Sequence, residues 1–157
     1  MKKGIFIDEK KCTGCRICEM ICSFTSAPGE IYNPAQSRIK IIKKEEAGID
    51  LPVMCLHCEA PLCMDSCPVG AIQVRPDGVV QIDENLCSGC QACIAQCPYG
   101  AIREHHGQII KCDLCGRNPS CVQWCPTQAI QYVEMDPAAI GENRRRLLAM
   151  IAHLGRR

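Results

Sequence analysis

The chain has 157 residues, of which 16 are cysteine and only 4% are aromatic, so rings fill little of any core. This length allows one domain or two small ones. Lysine and arginine (18) nearly balance aspartate and glutamate (17), and the net charge of +1 disfavours a nucleic-acid-binding protein.

The N-terminal residues predict neither export nor membrane insertion. Cys12 follows Met1, Lys2 and Lys3 so closely that a secretory signal does not fit before it. No run approaches the roughly 18 apolar residues of a membrane span. We therefore expect a cytoplasmic protein, in which reduced thiols bind metal instead of forming disulfides.

The first cysteine group has the spacing of a bacterial ferredoxin. It reads Cys12-x2-Cys15-x2-Cys18-x3-Cys22. In that pattern the first three thiolates hold one 4Fe-4S cluster, and the fourth reaches the neighbouring cluster. The closing x3 step predicts the start of a short helix.

A long insertion, residues 24–54, follows the first group. Residues 37–43 alternate between polar and apolar, and the polar run 43–48 is a turn signal. We expect a surface hairpin here. It could cover a cluster or contact a partner, and the sequence leaves both open.

Three further groups complete the set of sixteen cysteines. They read Cys55-x2-Cys58-x4-Cys63-x3-Cys67, Cys87-x2-Cys90-x2-Cys93-x3-Cys97 and Cys112-x2-Cys115-x5-Cys121-x3-Cys125. Each ends before a proline, which turns the chain away from the cluster because its φ is fixed. In group one, Ser23 stands at that position.

The exits from these three groups repeat. Each runs Cys-Pro, two variable residues, then Ala-Ile, and leads into a predicted strand. Residues 71–83 and 101–110 then predict two β-hairpins. The repeating unit is strand, cysteine loop, short helix, strand. Four such units predict an α+β fold of two ferredoxin-like modules.

A few residues beside the cysteines have candidate roles. His57 lies inside group two, either as a partly exposed loop residue or as a donor from its ring N–H to a cluster sulfur. Trp124 and Tyr99 are expected to shield clusters from water. No carboxylate is paired with a nearby base, so we predict no catalytic residue.

The C-terminal segment predicts a helix over residues 142–154, after Asp136 as N-cap and Pro137 as first helical residue. Its apolar stripe comprises Leu147, Leu148, Ile151 and Leu154, and its arginines are Arg144, Arg145, Arg146, Arg156 and Arg157. The stripe must be buried. It could pack on the chain itself, or it could dock onto a partner chain.

Other uses of the cysteines fit the spacing less well. Zinc sites usually consist of two separated Cys-x2-Cys pairs, which does not explain three such steps in a row. Disulfides between residues three apart would close very small loops. Plant-type two-iron clusters need an x4 gap before the x2 gap. The spacing therefore indicates four [4Fe-4S] clusters.

The order of the groups, the wider second gap in groups two and four, and the long insertion together resemble a known family. The chain is similar to the four-cluster iron–sulfur subunits of molybdenum or tungsten oxidoreductases of the dimethyl sulfoxide reductase type, over about residues 3–133. In its short length the chain is most similar to the small polyferredoxin subunits of tungsten-dependent aldehyde oxidoreductase complexes.

The resemblance implies nested pairing, in which group one pairs with group four and group two with group three. The implied ligand sets are Cys12, Cys15, Cys18 with Cys125; Cys112, Cys115, Cys121 with Cys22; Cys55, Cys58, Cys63 with Cys97; and Cys87, Cys90, Cys93 with Cys67. The hairpin at 71–83 independently supports the inner pair, since it joins groups two and three as the halves of a ferredoxin are joined.

The implied organisation has four parts. Residues 1–54 hold group one and the insertion, 55–107 form the inner module, 108–133 complete the outer module, and 134–157 form a docking helix. The implied function is electron transfer, without catalysis, between a molybdenum- or tungsten-pterin catalytic subunit and a flavin subunit, a ferredoxin or another redox partner.

Another function stays open from the sequence, in which the chain is a free-standing polyferredoxin that serves several enzymes. As a partner, the C-terminal helix could also bind a second copy of the complex. An enzyme that uses one cluster for substrate chemistry is the weakest alternative, because the sixteen cysteines divide evenly into four sets of four.

Overall fold

The computed structural model describes residues 2–27, 29 and 32–155. Within these residues the strands are β1 (Lys2–Ile7), β2 (Ile39–Lys44), β3 (Ile49–Met54), β4 (Ile72–Val74), β5 (Val80–Ile82), β6 (Ile102–His105), β7 (Gln108–Lys111) and β8 (Ile130–Met135). The α-helices are α1 (Ile17–Ser26), α2 (Leu62–Asp65), α3 (Ala92–Gln96), α4 (Ser120–Gln123) and α5 (Pro137–Leu154). Short 3-10 turns occur at Glu9–Lys11, Glu45–Ala47 and Leu114–Arg117.

The strands pair into antiparallel two-stranded sheets. The pairs β2–β3, β4–β5 and β6–β7 are hairpins between neighbours in sequence. The pair β1–β8 instead joins the two ends of the cysteine-containing region, with Lys2 opposite Met135 and Ile7 opposite Ile130. The hairpins predicted at 71–83 and 101–110 are confirmed, and the architecture is the expected α+β ferredoxin-like fold.

Each cysteine group starts a helix, as its x3 step predicts. The third cysteine of each group lies in α1, α2, α3 or α4. Helix α1 contacts α4, and α2 contacts α3. The fold therefore brings group one beside group four, and group two beside group three.

The hairpin expected in the insertion forms, with β2 paired to β3, but its apolar side is buried instead of lying at the surface. Ile39 and Ile41 of β2 are 1% and 3% exposed, and β3 is buried from Leu51 to Met54. The alternation of residues 37–43 indicates a strand with one apolar face. It does not reveal that β3 would be covered on both sides by the rest of the fold.

Helix α5 begins at Pro137, five residues before the start of the predicted segment, and it includes Gly141. The Asp136 carboxylate accepts a hydrogen bond from the backbone N–H of Ala139 (2.8 Å), which confirms the predicted N-cap. Within the part of the chain that the structure describes, no helix is both long and apolar enough to cross a membrane.

The apolar stripe of α5 packs on the chain's own core. Leu147 and Ile151 are buried, and Leu148 and Leu154 pack partly buried against the same core. The helix lies against β1. Of the arginines assigned to this segment, Arg156 and Arg157 lie outside the described residues. Docking of α5 onto a partner chain stays a prediction.

Candidate metal centres: four sets of cysteine thiols

Three small recesses in the structure are each lined by four cysteines. Site 1 is lined by Cys12, Cys15, Cys18 and Cys125. Site 3 is lined by Cys55, Cys58, Cys63 and Cys97. Site 4 is lined by Cys67, Cys87, Cys90 and Cys93.

A fourth set, site 2, consists of Cys22, Cys112, Cys115 and Cys121. Burial raises the pKa of the Cys121 thiol to about 12, and the nearby thiols of Cys22 and Cys115 act in the same direction. Burial also raises the pKa of Cys112, to which Cys121 and Cys22 again contribute. These four thiols therefore lie close enough to repel one another as thiolates.

In every set, three cysteines come from one group and the fourth from its partner group. The fourth cysteine is held by backbone N–H donors at the exit of its own group. Ala71 donates to Cys67 Sγ (3.3 Å), and Ala101 donates to Cys97 Sγ (3.4 Å). Burial acts to raise the pKa of Cys67, but backbone N–H groups outweigh it and the net pKa is lowered.

Cys22 lacks the proline exit, and another backbone group takes over the role of donor. The N–H of Arg38, just before β2, donates to Cys22 Sγ (3.2 Å). The Arg38 guanidinium also pairs with Asp113 in group four (2.7 Å). Burial acts to raise the pKa of Asp113, but Arg38 outweighs it and lowers the net pKa. The insertion is thus tied to both groups that form site 2.

The first cysteine of a group is held by a turn with positive φ two residues later. Gly14, His57, Gly89 and Leu114 occupy this position with φ of 63°, 48°, 71° and 61°. The N–H groups of His57 and Leu114 each donate to the sulfur of the preceding first cysteine, at 3.4 Å. Glycine adopts this backbone readily, so its presence in groups one and three was a signal for the turn.

His57 is not the partly exposed loop residue that one interpretation expected. It is 7% exposed, and its Nδ1 accepts a hydrogen bond from the backbone N–H of Val80 (3.0 Å). Burial, followed by the Lys111 cation, lowers the pKa of His57 to about 3, so the ring is neutral. The ring N–H therefore lies on Nε2, which is buried and has no hydrogen-bond partner among the described residues.

The two aromatic residues expected to shield clusters differ in the structure. Tyr99 is 8% exposed and lines site 3 together with its cysteines, as predicted. Trp124 is 58% exposed, so the expectation that it shields a cluster is wrong. It lies at the C-terminal end of α4, where its side chain faces away from the core although its neighbour Cys125 lines site 1.

The β2–β3 hairpin covers site 1. Ile41 and Pro52 line its recess, and Lys43 forms an ion pair with Asp50 (3.5 Å) beside the cysteine loop. A Cβ added at Gly14 would overlap both side chains of that ion pair. Of the two interpretations of the insertion, the structure supports a cover over a cysteine site.

Arg144 of α5 contacts the cysteine loop of group two, a role that the sequence did not identify. Its Nη2 donates to the carbonyl oxygens of Leu56 (2.9 Å) and His57 (2.7 Å), inside the group-two loop. The sequence showed only an arginine in a cluster of three, and no local pattern relates it to residues almost ninety positions earlier. The C-terminal helix therefore holds the loop that contributes three thiols to site 3.

The donor sets fit a cationic cluster. Burial, followed by neighbouring thiolates, raises the pKa of Cys18 to about 12 and that of Cys63 to about 11. Four thiolates in one apolar recess are stable only when a positive centre neutralises them, as an iron–sulfur core does. Among the described residues, no three histidine, cysteine, aspartate or glutamate side chains are grouped as ligands of a single metal ion; a 4Fe-4S core is larger and spaces its four thiolates further apart.

The four sites form a series of neighbours. A thiolate at Cys121 raises the pKa of Cys18, after burial, which places site 2 next to site 1. The Cys55 thiolate likewise raises the pKa of Cys112, which places site 3 next to site 2. Cys63 and Cys93 share one small apolar core, which places site 4 next to site 3.

Comparison with known proteins finds iron–sulfur relatives. Two family descriptions match, each a "4Fe-4S dicluster domain", over residues 47–135 and 11–72. The chain is 36% identical to the B subunit of the anaerobic dimethyl sulfoxide reductase of Escherichia coli (strain K12), covering 85% of this chain and 74% of that subunit. It is 32% identical to the thiosulfate reductase electron transfer subunit PhsB of Salmonella typhi, covering 85% and 76%.

One solved structure resembles the fold over nearly its whole length. It is the active site complex BamBC of benzoyl coenzyme A reductase as isolated, with a TM-score of 0.52 and 29% identity. The match covers 98% of this chain and 91% of that one.

Proposed function

Because the chain belongs to the 4Fe-4S dicluster family and is an iron–sulfur electron-transfer subunit of the dimethyl sulfoxide reductase type, we propose that it serves a pterin-dependent oxidoreductase through four clusters. The single observation that carries the proposal is the convergence of sixteen cysteines into four sets of four. When bound, each cluster would supply one-electron transfer.

The proposed ligands are the four sets that the sequence resemblance implied. Sites 1, 3 and 4 are supported by recesses lined by four cysteines each. Site 2 is supported by the mutual effects of its thiols on their pKa values. The division into an outer module, an inner module and a C-terminal helix is part of the same proposal.

The protein's own residues then hold the sites in a fixed series. Backbone N–H groups at the turns and exits orient the sulfurs of the first and last cysteines. The hairpin over site 1 and Tyr99 beside site 3 exclude water from two of the recesses. Since neighbouring sites run in the order 1, 2, 3, 4, sites 1 and 4 are the two points for exchange with partners.

The proposed partners are a molybdenum- or tungsten-pterin catalytic subunit, such as an aldehyde oxidoreductase, on one side and a flavin subunit, a ferredoxin or another redox protein on the other. Support comes from the relatives, which are a subunit of dimethyl sulfoxide reductase and an electron transfer subunit of thiosulfate reductase. Further copies of the complex are an additional proposed partner of α5, and a cytoplasmic location is part of the proposal.

The cluster count is tested by analysis of anaerobically purified protein. We expect about sixteen iron atoms and sixteen acid-labile sulfides per chain, four of each per cluster. Half of that content in a fully folded protein would contradict four clusters. Zinc with little sulfide would contradict the cluster assignment itself.

The partner is tested by affinity purification of the native protein at low salt. Co-purification of a large pterin-containing enzyme is the expected result. A monomer without partners, still reducible and able to pass electrons to several enzymes, would favour the free-standing polyferredoxin instead.

A further inference from the structure

Lys111 is a lysine that lies buried without a carboxylate partner among the described residues. Lys111, the last residue of β7, is 6% exposed. Its Nζ donates hydrogen bonds to the carbonyl oxygens of Val80 and of Cys112 (3.1 Å to the latter). It takes part in none of the ion pairs found among the described residues.

This ammonium lies at the boundary between sites 2 and 3. Its hydrogen bond to the Cys112 carbonyl anchors it at site 2. On the other side its hydrogen bond to the Val80 carbonyl oxygen ties it to site 3, because Val80 lines the recess of that site together with Cys63. Val80 links it to His57, because the N–H of Val80 donates to the histidine ring.

A buried cation without a counter-ion is costly, and two carbonyl oxygens do not neutralise it. The cysteine sites on either side of it supply negative charge. Four thiolates around an oxidised 4Fe-4S core carry about −2 in total, and one added electron makes the site more negative. A fixed positive charge nearby therefore favours the reduced state over the oxidised state.

We propose that Lys111 sets the reduction potential of site 3, as a buried counter-charge that stabilises the reduced cluster there. The inference rests on the proposed cluster at site 3. Lys111 forms and breaks no covalent bond. It offsets the single negative charge that arrives when a reductant such as dithionite gives one electron to the site.

The test is a redox titration of the holoprotein followed by electron paramagnetic resonance. In Lys111→Met we expect the ratio of reduced to oxidised site 3, at a fixed applied potential, to fall about tenfold, which for one electron is a downward shift of about 59 mV. The Cys58→Ser variant identifies the step that belongs to site 3. Sites 1 and 4 serve as internal references.

Two control variants separate charge from packing. Lys111→Arg retains the charge and should keep the wild-type potential. Lys10→Met removes the charge of an exposed lysine far from this boundary in sequence, and it should also leave site 3 unchanged. An unshifted site 3 in Lys111→Met with full iron content would overturn the proposal.

A folding defect does not leave the question open. If Lys111→Met loses iron, the titration is repeated with Lys111→Gln, which keeps a donor for the carbonyl oxygens but lacks the charge. The potential of site 3 in that variant then decides whether the charge matters. Loss of site 3 iron in both neutral variants but not in Lys111→Arg supports charge compensation, and the same loss in Lys111→Arg overturns it. Failure of the proposed function would appear earlier, as a wild-type protein without four clusters.

Discussion

Replacement of Arg144 by methionine tests whether α5 supports the group-two loop. The guanidinium is part-buried and donates to two carbonyl oxygens of that loop, those of Leu56 and His57. Methionine keeps much of the aliphatic packing but neither hydrogen bond. The change therefore isolates the polar contact between the helix and site 3.

The expected cost follows from the two contacts. A hydrogen bond from a charged donor contributes about 1.5–3 kcal/mol, and water recovers part of this where the carbonyl oxygens can be reached. We expect Arg144→Met to destabilise the loop by about 2–4 kcal/mol. Since about 1.4 kcal/mol corresponds to a tenfold change in rate, cluster loss from site 3 should accelerate at least tenfold.

The assay is the anaerobic decay of cluster absorbance in moderate urea, because loss of clusters is irreversible and a rate is the appropriate measure. Arg145→Met is the matched control. Its side chain is exposed and makes none of the hydrogen bonds or ion pairs found in the described chain, so its decay should match the wild type within about twofold. Equal rates for the Arg144 and Arg145 variants would refute the supporting role of α5.

Three further changes test the turns and the metal dependence. Gly14→Ala and Gly100→Ala introduce the same backbone strain at φ near 60°, but only Gly14→Ala adds a Cβ against the hairpin ion pair. Cluster decay should therefore be faster in Gly14→Ala, with a barrier lower by about 1 kcal/mol. Equal decay rates in the two variants would contradict the contact. Gln128 has a φ of 55° at the position where the exits of groups two and three have glycine. Gln128→Gly should therefore stabilise the fold by about 0.5 kcal/mol, measured as slower thermal bleaching of the clusters. Faster bleaching would contradict the strain at this position. Removal of iron by an anaerobic chelator should unfold the chain, because cluster binding supplies much of the folding free energy in a protein with a small core. Circular dichroism measures the loss of structure. An unchanged spectrum would show that the fold does not depend on the clusters.

The parts of the fold that the sequence predicted depend on local patterns. The x3 step places a cysteine and the first turn of a helix within four residues, and the exits at Ile72 and Ile102 continue directly into hairpin strands. Such features need no knowledge of distant contacts. The start of α5 at Pro137 was visible in the Asp-Pro pair, although the predicted regular segment began later because Gly141 weakened the pattern.

The features that the sequence did not predict depend on tertiary contacts. Lys111 stands at the end of a strand, where a lysine side chain usually reaches water. Its ammonium is instead buried, and it donates a hydrogen bond to the carbonyl oxygen of Val80, thirty-one residues earlier. His57 holds the positive φ that glycine holds in groups one and three, and its ring accepts a hydrogen bond from the distant Val80 N–H. Trp124 stands beside a cluster cysteine in sequence, as a shielding aromatic would, but it follows the end of α4 and its side chain is exposed.

The nested arrangement gives the two modules different requirements for assembly. Sites 3 and 4 draw all their cysteines from residues 55–97, joined by a short hairpin, so their loops close at low entropic cost. Sites 1 and 2 each combine cysteines from both ends of the chain, and these ends meet through the β1–β8 sheet. Helix α5 follows β8 directly and packs on β1, where Asn143 donates to the Ile7 carbonyl oxygen (3.2 Å). The helix therefore stabilises the β1–β8 pairing, which joins residues far apart in sequence. Through Arg144 the same helix also contacts the inner module, so it connects the two modules.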